Sequence, residues 1–253
     1  MSKKDAVGFD RRDVLKQIVT AAASAPLSPN ALGATAAAAA VTMQVNLASA
    51  QVPAPGAAPP AGYQSLGPDE AGFVEAFVNV MCPADNLTPN GVDCGLATFI
   101  DRQLAGGYGQ GENLYMHGPW KKGKPQLGYQ LPLTPAQFFK AGIAAANAAC
   151  QTRFGKDFDA LAPVDADLFL RDLSTGKVAD PRVPLGEWFN ELAYPLFVQA
   201  CFADPIYGGN NGKVFWRMIG YPGLPATHTR DMVEFRGKPF PGAGDPKSIA
   251  DFS

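Results

Sequence analysis

Four cysteines and two histidines are the side chains of this chain best suited to binding a metal or attacking a substrate. No Cys-x-x-Cys-His sequence occurs, so the chain attaches no c-type haem. The cysteines are too scattered to predict a zinc or iron–sulfur site, because such sites draw their ligands at short, regular spacings. The cysteines are Cys82, Cys94, Cys150 and Cys201, and the histidines are His117 and His228.

The other patterns that could support catalysis are incomplete. His117 lies among aromatic residues and could act as a general base, but the sequence favours a hydrogen-bonded loop or interface histidine. No Gly-x-Ser-x-Gly elbow is present to supply a nucleophile. The glycine-rich run at 107–111 lacks the preceding strand that a dinucleotide-binding loop requires, and we interpret it as a turn. We therefore predict no catalytic, cofactor-binding or metal-binding residues in this chain.

The N-terminus resembles a twin-arginine export signal. An arginine pair is followed by a leucine and a lysine, then by a moderately apolar, Ala-rich stretch and a small-x-small cleavage site. We predict that residues 1–50 are a signal peptide, disordered as a leader, and that the mature protein works in the periplasm. The residues that define the signal are Arg11, Arg12, Leu15 and Lys16, with Ala48 and Ala50 at the cleavage site.

Export would place the cysteines in an oxidising compartment, where disulfides persist. Four cysteines allow three pairings. Cys82 ends one predicted helix and Cys94 opens the next, so we predict a bridge between them across a short loop. That leaves Cys150 and Cys201 in apolar helices, either as a second bridge or as buried thiols.

The composition limits the kinds of molecule that this chain is expected to bind. The formal net charge of -2 gives no basic face for a nucleic acid. No uninterrupted apolar run approaches the roughly 20 residues of a spanning helix. We therefore expect contact with the membrane only through partner proteins.

Helical patterns dominate the rest of the chain, and strand patterns are rare. The fold class predicted is mainly α, a single domain of about six helices joined by long Gly/Pro-rich loops at 106–133 and 221–253. The predicted helices cover residues 68–81, 93–105, 134–155, 165–173, 185–202 and 212–219, and the fifth should kink near Pro195.

Two segments are too rich in proline and glycine to form a core of their own. Residues 51–67 are predicted to be a linker before the domain at 68–253, and residues 235–253 are predicted to be an extended tail. Aromatic residues in the loops and the tail should be exposed and suit a partner interface. These residues are Tyr108, Tyr115, Trp120, Phe235 and Phe240.

Several segments, in this order, resemble the gluconate 2-dehydrogenase small (gamma) subunit, the subunit 3 family. The resemblance covers about residues 65 to 225, with Asp101 and Arg102 interpreted as a pair on one helix face. The segments are Met81–Asp85, Asn90–Val92, Phe99–Leu104, Tyr115 with Gly118–Pro119, Phe202–Asn210 and Trp216–Gly223.

The resemblance implies a non-catalytic accessory subunit of a periplasmic, membrane-associated, FAD-dependent sugar-acid or polyol dehydrogenase. Its expected partners are a large FAD-binding flavoprotein and a multi-haem cytochrome c, so FAD and haem c belong to partners and none to this chain. Because the twin-arginine route carries folded proteins, the chain would escort the flavoprotein through export. The alternatives are an independent periplasmic enzyme or a carbohydrate-binding protein, which turnover or sugar binding by the isolated chain would identify.

Overall fold

The computed structural model describes residues 62–121, 123–124 and 127–252. The predicted export signal, its cleavage site and most of the predicted linker lie outside these residues. Within them the fold is helical and has no named strand, which confirms the mainly α class. The helices are α1 (Pro68–Met81), α2 (Leu96–Ala105), α3 (Gly107–Gln110), α4 (Pro135–Phe154), α5 (Pro163–Ser174), α6 (Leu185–Trp188 continued by Tyr194–Phe202), α7 (Val214–Ile219) and α8 (Asp231–Glu234).

The helices begin and end where the sequence carries the expected signals. Proline opens α1, α4 and α5, at a position whose backbone N–H needs no partner in the helix. Thr134 caps α4 by accepting a hydrogen bond from the Gln137 N–H at 3.3 Å, while the Gln137 amide oxygen accepts from the Thr134 N–H at 3.0 Å. Gly155 ends the same helix in the left-handed conformation.

The irregularity predicted at Pro195 takes the form of a π-helical turn within α6. Residues Phe189–Ala193 form that turn, directly before the proline. Pro195 has no N–H to donate to the carbonyl four residues earlier, and its ring collides with that carbonyl, so the widened turn relieves both problems.

The core is built around Trp188 of α6, which is 1 % exposed. Its indole N–H donates to the Phe139 carbonyl of α4 at 3.1 Å, and its ring lies 6.1 Å from that of Phe73 of α1. A Cβ atom at Gly142 would lie 2.1 Å from the indole nitrogen, so α4 can approach the ring this closely only with glycine there. Three helices are thus fixed against one side chain.

Asp101 of α2 is almost fully buried, at 1 % exposure, and faces inward. Its carboxylate accepts three backbone N–H bonds, from Gln64 at 2.7 Å, Ser65 at 2.8 Å and Leu66 at 2.9 Å. Buried carboxylates need such partners, because an unsolvated charge is costly. Asp101 therefore fastens the chain before α1 to the middle of α2.

Further contacts hold the same segment. The Tyr63 hydroxyl donates to Glu75 of α1 at 2.6 Å. The Lys140 ammonium of α4 donates to the Ser65 carbonyl and lies 3.1 Å from Glu70. Residues 62–67, assigned to the linker on composition, are therefore part of the folded domain.

We predict that Asp101→Asn destabilises the protein by about 2 kcal/mol. The new amide N–H₂ is a hydrogen-bond donor, and it would face backbone N–H groups that need an acceptor. Urea unfolding followed by circular dichroism measures the change. The matched control is Asp69→Asn at the exposed start of α1, which should cost less than about 1 kcal/mol. Equal effects of the two substitutions would show that the buried carboxylate does not have this role.

Candidate partner interface

The turn that follows α6 is packed tightly against α2. Asn210 is fully buried and adopts a left-handed backbone with φ of 49°. Its side-chain oxygen accepts from the Phe215 N–H at 3.1 Å, and its amide donates to the Ala203 carbonyl at 3.2 Å. A Cβ atom at Gly209 would lie 2.4 Å from the Ala200 carbonyl oxygen, so the turn can close only with glycine at this position.

An open groove of about 440 Å³ lies between α2 and the end of α6. Three aromatic rings and two side-chain amides line it, and no charged side chain does. Phe99 is 4 % exposed, whereas Tyr207 is 51 % exposed. We call this feature the aromatic groove, and its lining residues are Phe99, Gln103, Gln199, Phe202, Ala203 and Tyr207.

The aromatic residues predicted for the loop after α2 differ in exposure. Tyr115 is 80 % exposed, and its ring lies 5.6 Å from that of His117. Tyr108 is instead half-buried against the core, and burial raises the pKa of its hydroxyl. Trp120 is also half-buried and packs over Gly118 of its own loop. Of these three side chains, Tyr115 is the one fully open to a partner.

The predicted tail aromatics pack against one another. The rings of Phe235 and Phe240 lie 5.3 Å apart, and Phe240 is 5.3 Å from the His228 ring. His228 is held by Asp231 at 2.8 Å and by the Pro222 carbonyl at 3.1 Å. The tail therefore forms a small cluster of its own, where composition had predicted an extended segment.

The tail also folds back onto the domain. Gly223 and Lys247 form a parallel β-bridge, in which the Lys247 N–H donates to the Pro222 carbonyl at 3.0 Å. The Ile249 N–H donates to the buried Asp204 at 2.9 Å. These contacts use backbone groups and one distant carboxylate, which explains why the composition of the tail did not reveal them.

Contacts of the Lys213 side chain also hold the tail. The Lys213 ammonium donates to the Pro246 carbonyl at 2.9 Å and forms an ion pair with Asp251. The hydrogen bond from Lys213 and those from Ser248 hold the pKa of the Asp251 carboxyl well below its usual range. The end of the chain is thus fastened to the turn after α6.

All four cysteines lie in the described residues and are buried, and the structure has no disulfide between them. The Sγ atoms of Cys82 and Cys94 lie 3.7 Å and 3.6 Å from one acceptor, the Pro89 carbonyl. Burial, and then the neighbouring Cys82, raise the pKa of Cys94 to about 12. The Cys82–Cys94 bridge stays a prediction, for two thiols that the structure places together.

The pairing of Cys150 with Cys201 also stays a prediction. Burial raises the pKa of Cys201, with further contributions from Cys82 and Cys94. Burial also raises the pKa of Cys150, to about 12.

Among the described residues, no group of three or more His, Cys, Asp or Glu side chains is placed to hold a metal ion. No helix in the described part of the chain is long and apolar enough to cross a membrane.

The packed turn and α2 both lie within the part of the chain that matches a known family. The family model of gluconate 2-dehydrogenase subunit 3 matches residues 68–223. The chain belongs to this family. No curated protein and no solved structure matches it. The family match ends at Gly223, so the tail at 235–253 lies outside the matched region.

In this subunit 3 chain, two of the segments that carry the family resemblance, Phe99–Leu104 and Phe202–Asn210, contact each other. Asp101 and Arg102 do not form the expected pair on one helix face, because Asp101 points inward. A Cβ atom at Gly208 would lie 2.7 Å from the Arg102 guanidinium, so that side chain passes over the turn. The acceptor role of Asp101 was missed because its donors are backbone groups, which leave no signal in the sequence.

We predict that Gly223→Ala releases the tail, since a Cβ atom there would lie 2.0 Å from the Lys247 carbonyl oxygen. Trypsin cleavage after Arg236 should become about tenfold faster, because the local opening is easier. The control is Gly220→Ala, which has a similar positive φ but nothing within 4 Å of the added carbon. Equal cleavage rates in the two variants would contradict the proposed docking of the tail.

Proposed function

We propose that this chain is a non-catalytic accessory subunit of a periplasmic FAD-dependent gluconate 2-dehydrogenase complex, where it binds the flavoprotein. The observation that carries the proposal is the match of residues 68–223 to gluconate 2-dehydrogenase subunit 3. Membership in that family makes the chain a subunit of a dehydrogenase complex. The absence of catalytic residues and the identity of the partners are our proposals.

The roles of the buried carboxylates support an accessory subunit. Asp101 accepts three backbone N–H bonds, and Asp204 accepts two, from Ile206 at 3.0 Å and Ile249 at 2.9 Å. Asp172 accepts from Arg153 at 2.7 Å and from Lys177 at 3.2 Å, and these bonds lower the pKa of its carboxyl. Each of these acids fastens one segment to another and is oriented by structural partners.

Exposed apolar side chains support the binding of a partner protein. Tyr115 is 80 % exposed, Val164 of α5 is 79 % exposed and Val233 of α8 is 78 % exposed. Large exposed apolar side chains are used at interfaces, where tyrosine is enriched among the residues that dominate binding energy. A permanent complex of this kind should bury more than about 2,000 Å² in total.

The predicted export signal is the basis for an escort role. Flavoproteins acquire FAD in the cytoplasm and must cross the membrane folded, which the twin-arginine route permits. The signal at Arg11 and Arg12 would serve both chains if they cross as one assembly. A multi-haem cytochrome c would then receive electrons in the periplasm and hold the complex at the inner membrane.

We predict that Tyr115→Ala weakens capture of the FAD-loaded catalytic subunit by about 2 kcal/mol, or about thirtyfold in Kd, as removal of a central interface tyrosine does. Surface plasmon resonance with the purified flavoprotein measures the change. Trp120→Ala should have the smaller effect, because its ring packs on its own loop. An unchanged Kd for Tyr115→Ala would remove this loop from the interface.

We predict that replacing both Arg11 and Arg12 with lysine leaves this chain and the flavoprotein together in the cytoplasm. Cell fractionation with flavin fluorescence measures where the flavoprotein accumulates. The control replaces Lys3 alone with arginine, which preserves charge outside the arginine motif, creates no second arginine pair and should leave export unchanged. Normal periplasmic flavoprotein in the double lysine variant would refute the escort role.

A further inference from the structure

Arg102 of α2 carries a charge that the fold does not pair. Its side chain is half-buried, and within the described residues no hydrogen bond or ion pair engages its guanidinium. Arg153 and Arg171, by contrast, each bond to a carboxylate, at 2.7 Å and 2.8 Å. A partly desolvated cation without a partner costs stability, so an anion supplied from outside the chain would be favourable here.

This guanidinium lies at the turn that borders the aromatic groove. Positions three and four apart share one face of a helix, so Arg102 lies on the face of α2 that carries Phe99 and, beside it, Gln103 of the groove. The guanidinium passes over Gly208, where a Cβ atom would lie 2.7 Å from it. The residue before that glycine is Tyr207, whose side chain is 51 % exposed.

The accessible surface beside the guanidinium is apolar. Phe99 is 4 % exposed and belongs to the core, so the ring surface open to a partner comes from Tyr207 and, in part, from the half-buried Phe202. Ile206, next to Tyr207, is 41 % exposed. An exposed tyrosine and isoleucine thus lie on the same turn as the unpaired cation.

The acidic residues nearest in the chain are already committed to other donors. Asp101 is the one acidic residue of α2, and Asp204 is the one acidic residue of the turn at 203–210. Both are buried. Asp101 accepts from the backbone of residues 64–66, and Asp204 accepts from that of Ile206 and Ile249. The anion that would pair with Arg102 is therefore expected from another molecule.

The chemistry of this surface fits a carboxylate on a protein. A guanidinium binds a carboxylate through two parallel hydrogen bonds, and arginine and tyrosine are enriched among the residues that dominate protein interfaces. Small-molecule sites enclose most of their ligand. The groove is open, and its exposed apolar side chains extend the surface beyond what a small molecule would cover.

We infer that Arg102 and the exposed edge of the aromatic groove dock an acidic side chain of the flavoprotein. The carboxylate bonds to the guanidinium, and an apolar side chain beside it lies against Tyr207. The inference rests on the proposed function, because it names a contact with the proposed partner. Both residues lie within the matched region 68–223, so the contact does not require the tail.

The test measures the Kd of the purified flavoprotein for the full chain carrying Arg102→Gln. We expect binding about thirtyfold weaker than that of the wild type. Raising sodium chloride from about 0.05 M to about 0.5 M should weaken wild-type binding more than binding of the variant, because salt screens a charge pair that the variant lacks.

Two further variants separate the charge from the apolar contact. Arg102→Lys should keep the salt dependence and still bind more weakly than the wild type, because an ammonium cannot make the two parallel bonds. Tyr207→Ala should weaken binding about tenfold and leave the salt dependence unchanged. Thermal unfolding of each variant shows that the fold is retained.

The matched control is Arg217→Gln. Arg217 is exposed in the last turn of α7, as Arg102 lies in the last turn of α2. Both substitutions remove one positive charge and the same favourable interaction with the carbonyl end of a helix. The control should therefore leave the Kd and its salt dependence unchanged.

Three outcomes would overturn the inference. Equal Kd values for Arg102→Gln and Arg217→Gln would reject it alone, while the proposed function would stand. A wild-type chain that does not bind the flavoprotein would reject both. Gluconate that binds the isolated chain, and no longer binds after Arg102→Gln, would assign the guanidinium to a free sugar acid and not to a protein carboxylate.

Discussion

The fold depends on one buried carboxylate that has backbone donors as partners. Asp101 holds residues 64–66 against α2, and that segment then sets where α1 begins. A side chain with two acceptor oxygens can satisfy three converging N–H groups, whereas an apolar side chain would leave them unpaired in the interior. The entry of the chain into the domain is therefore fixed by these hydrogen bonds, alongside the packing of the helices around Trp188.

The segments that identify the family are explained by the same region. The helix that carries Asp101 also presents Phe99 and Arg102 to the turn after α6, where Gly208 and Gly209 allow close approach. The same turn also holds the tail, through Asp204 and Lys213. Helix α2 thus contacts both the first described residues and the turn after α6, and that turn holds the last described residues. The aromatic groove lies where α2 meets the turn.

The sequence predicted the long helices well because their signals are local. Proline at the first helical position and glycine after the last mark α1 and α4 within a residue or so, and periodic apolar residues give α6 its full range. The four-residue helices α3 and α8 were missed, because four residues are too few to show a period. The docking of the tail and the burial of Tyr108 were also missed, because both depend on partners distant in sequence.

The burial of the cysteine thiols determines when they could be oxidised. Burial and the neighbouring Cys82 raise the pKa of Cys94, so little of it is thiolate at neutral pH, and the thiolate is the form that attacks a disulfide donor. If the chain crosses the membrane folded, its cysteines reach the oxidising compartment already enclosed. Any disulfide would then form only as fast as the domain opens locally. Folding would therefore come before oxidation and would not depend on it.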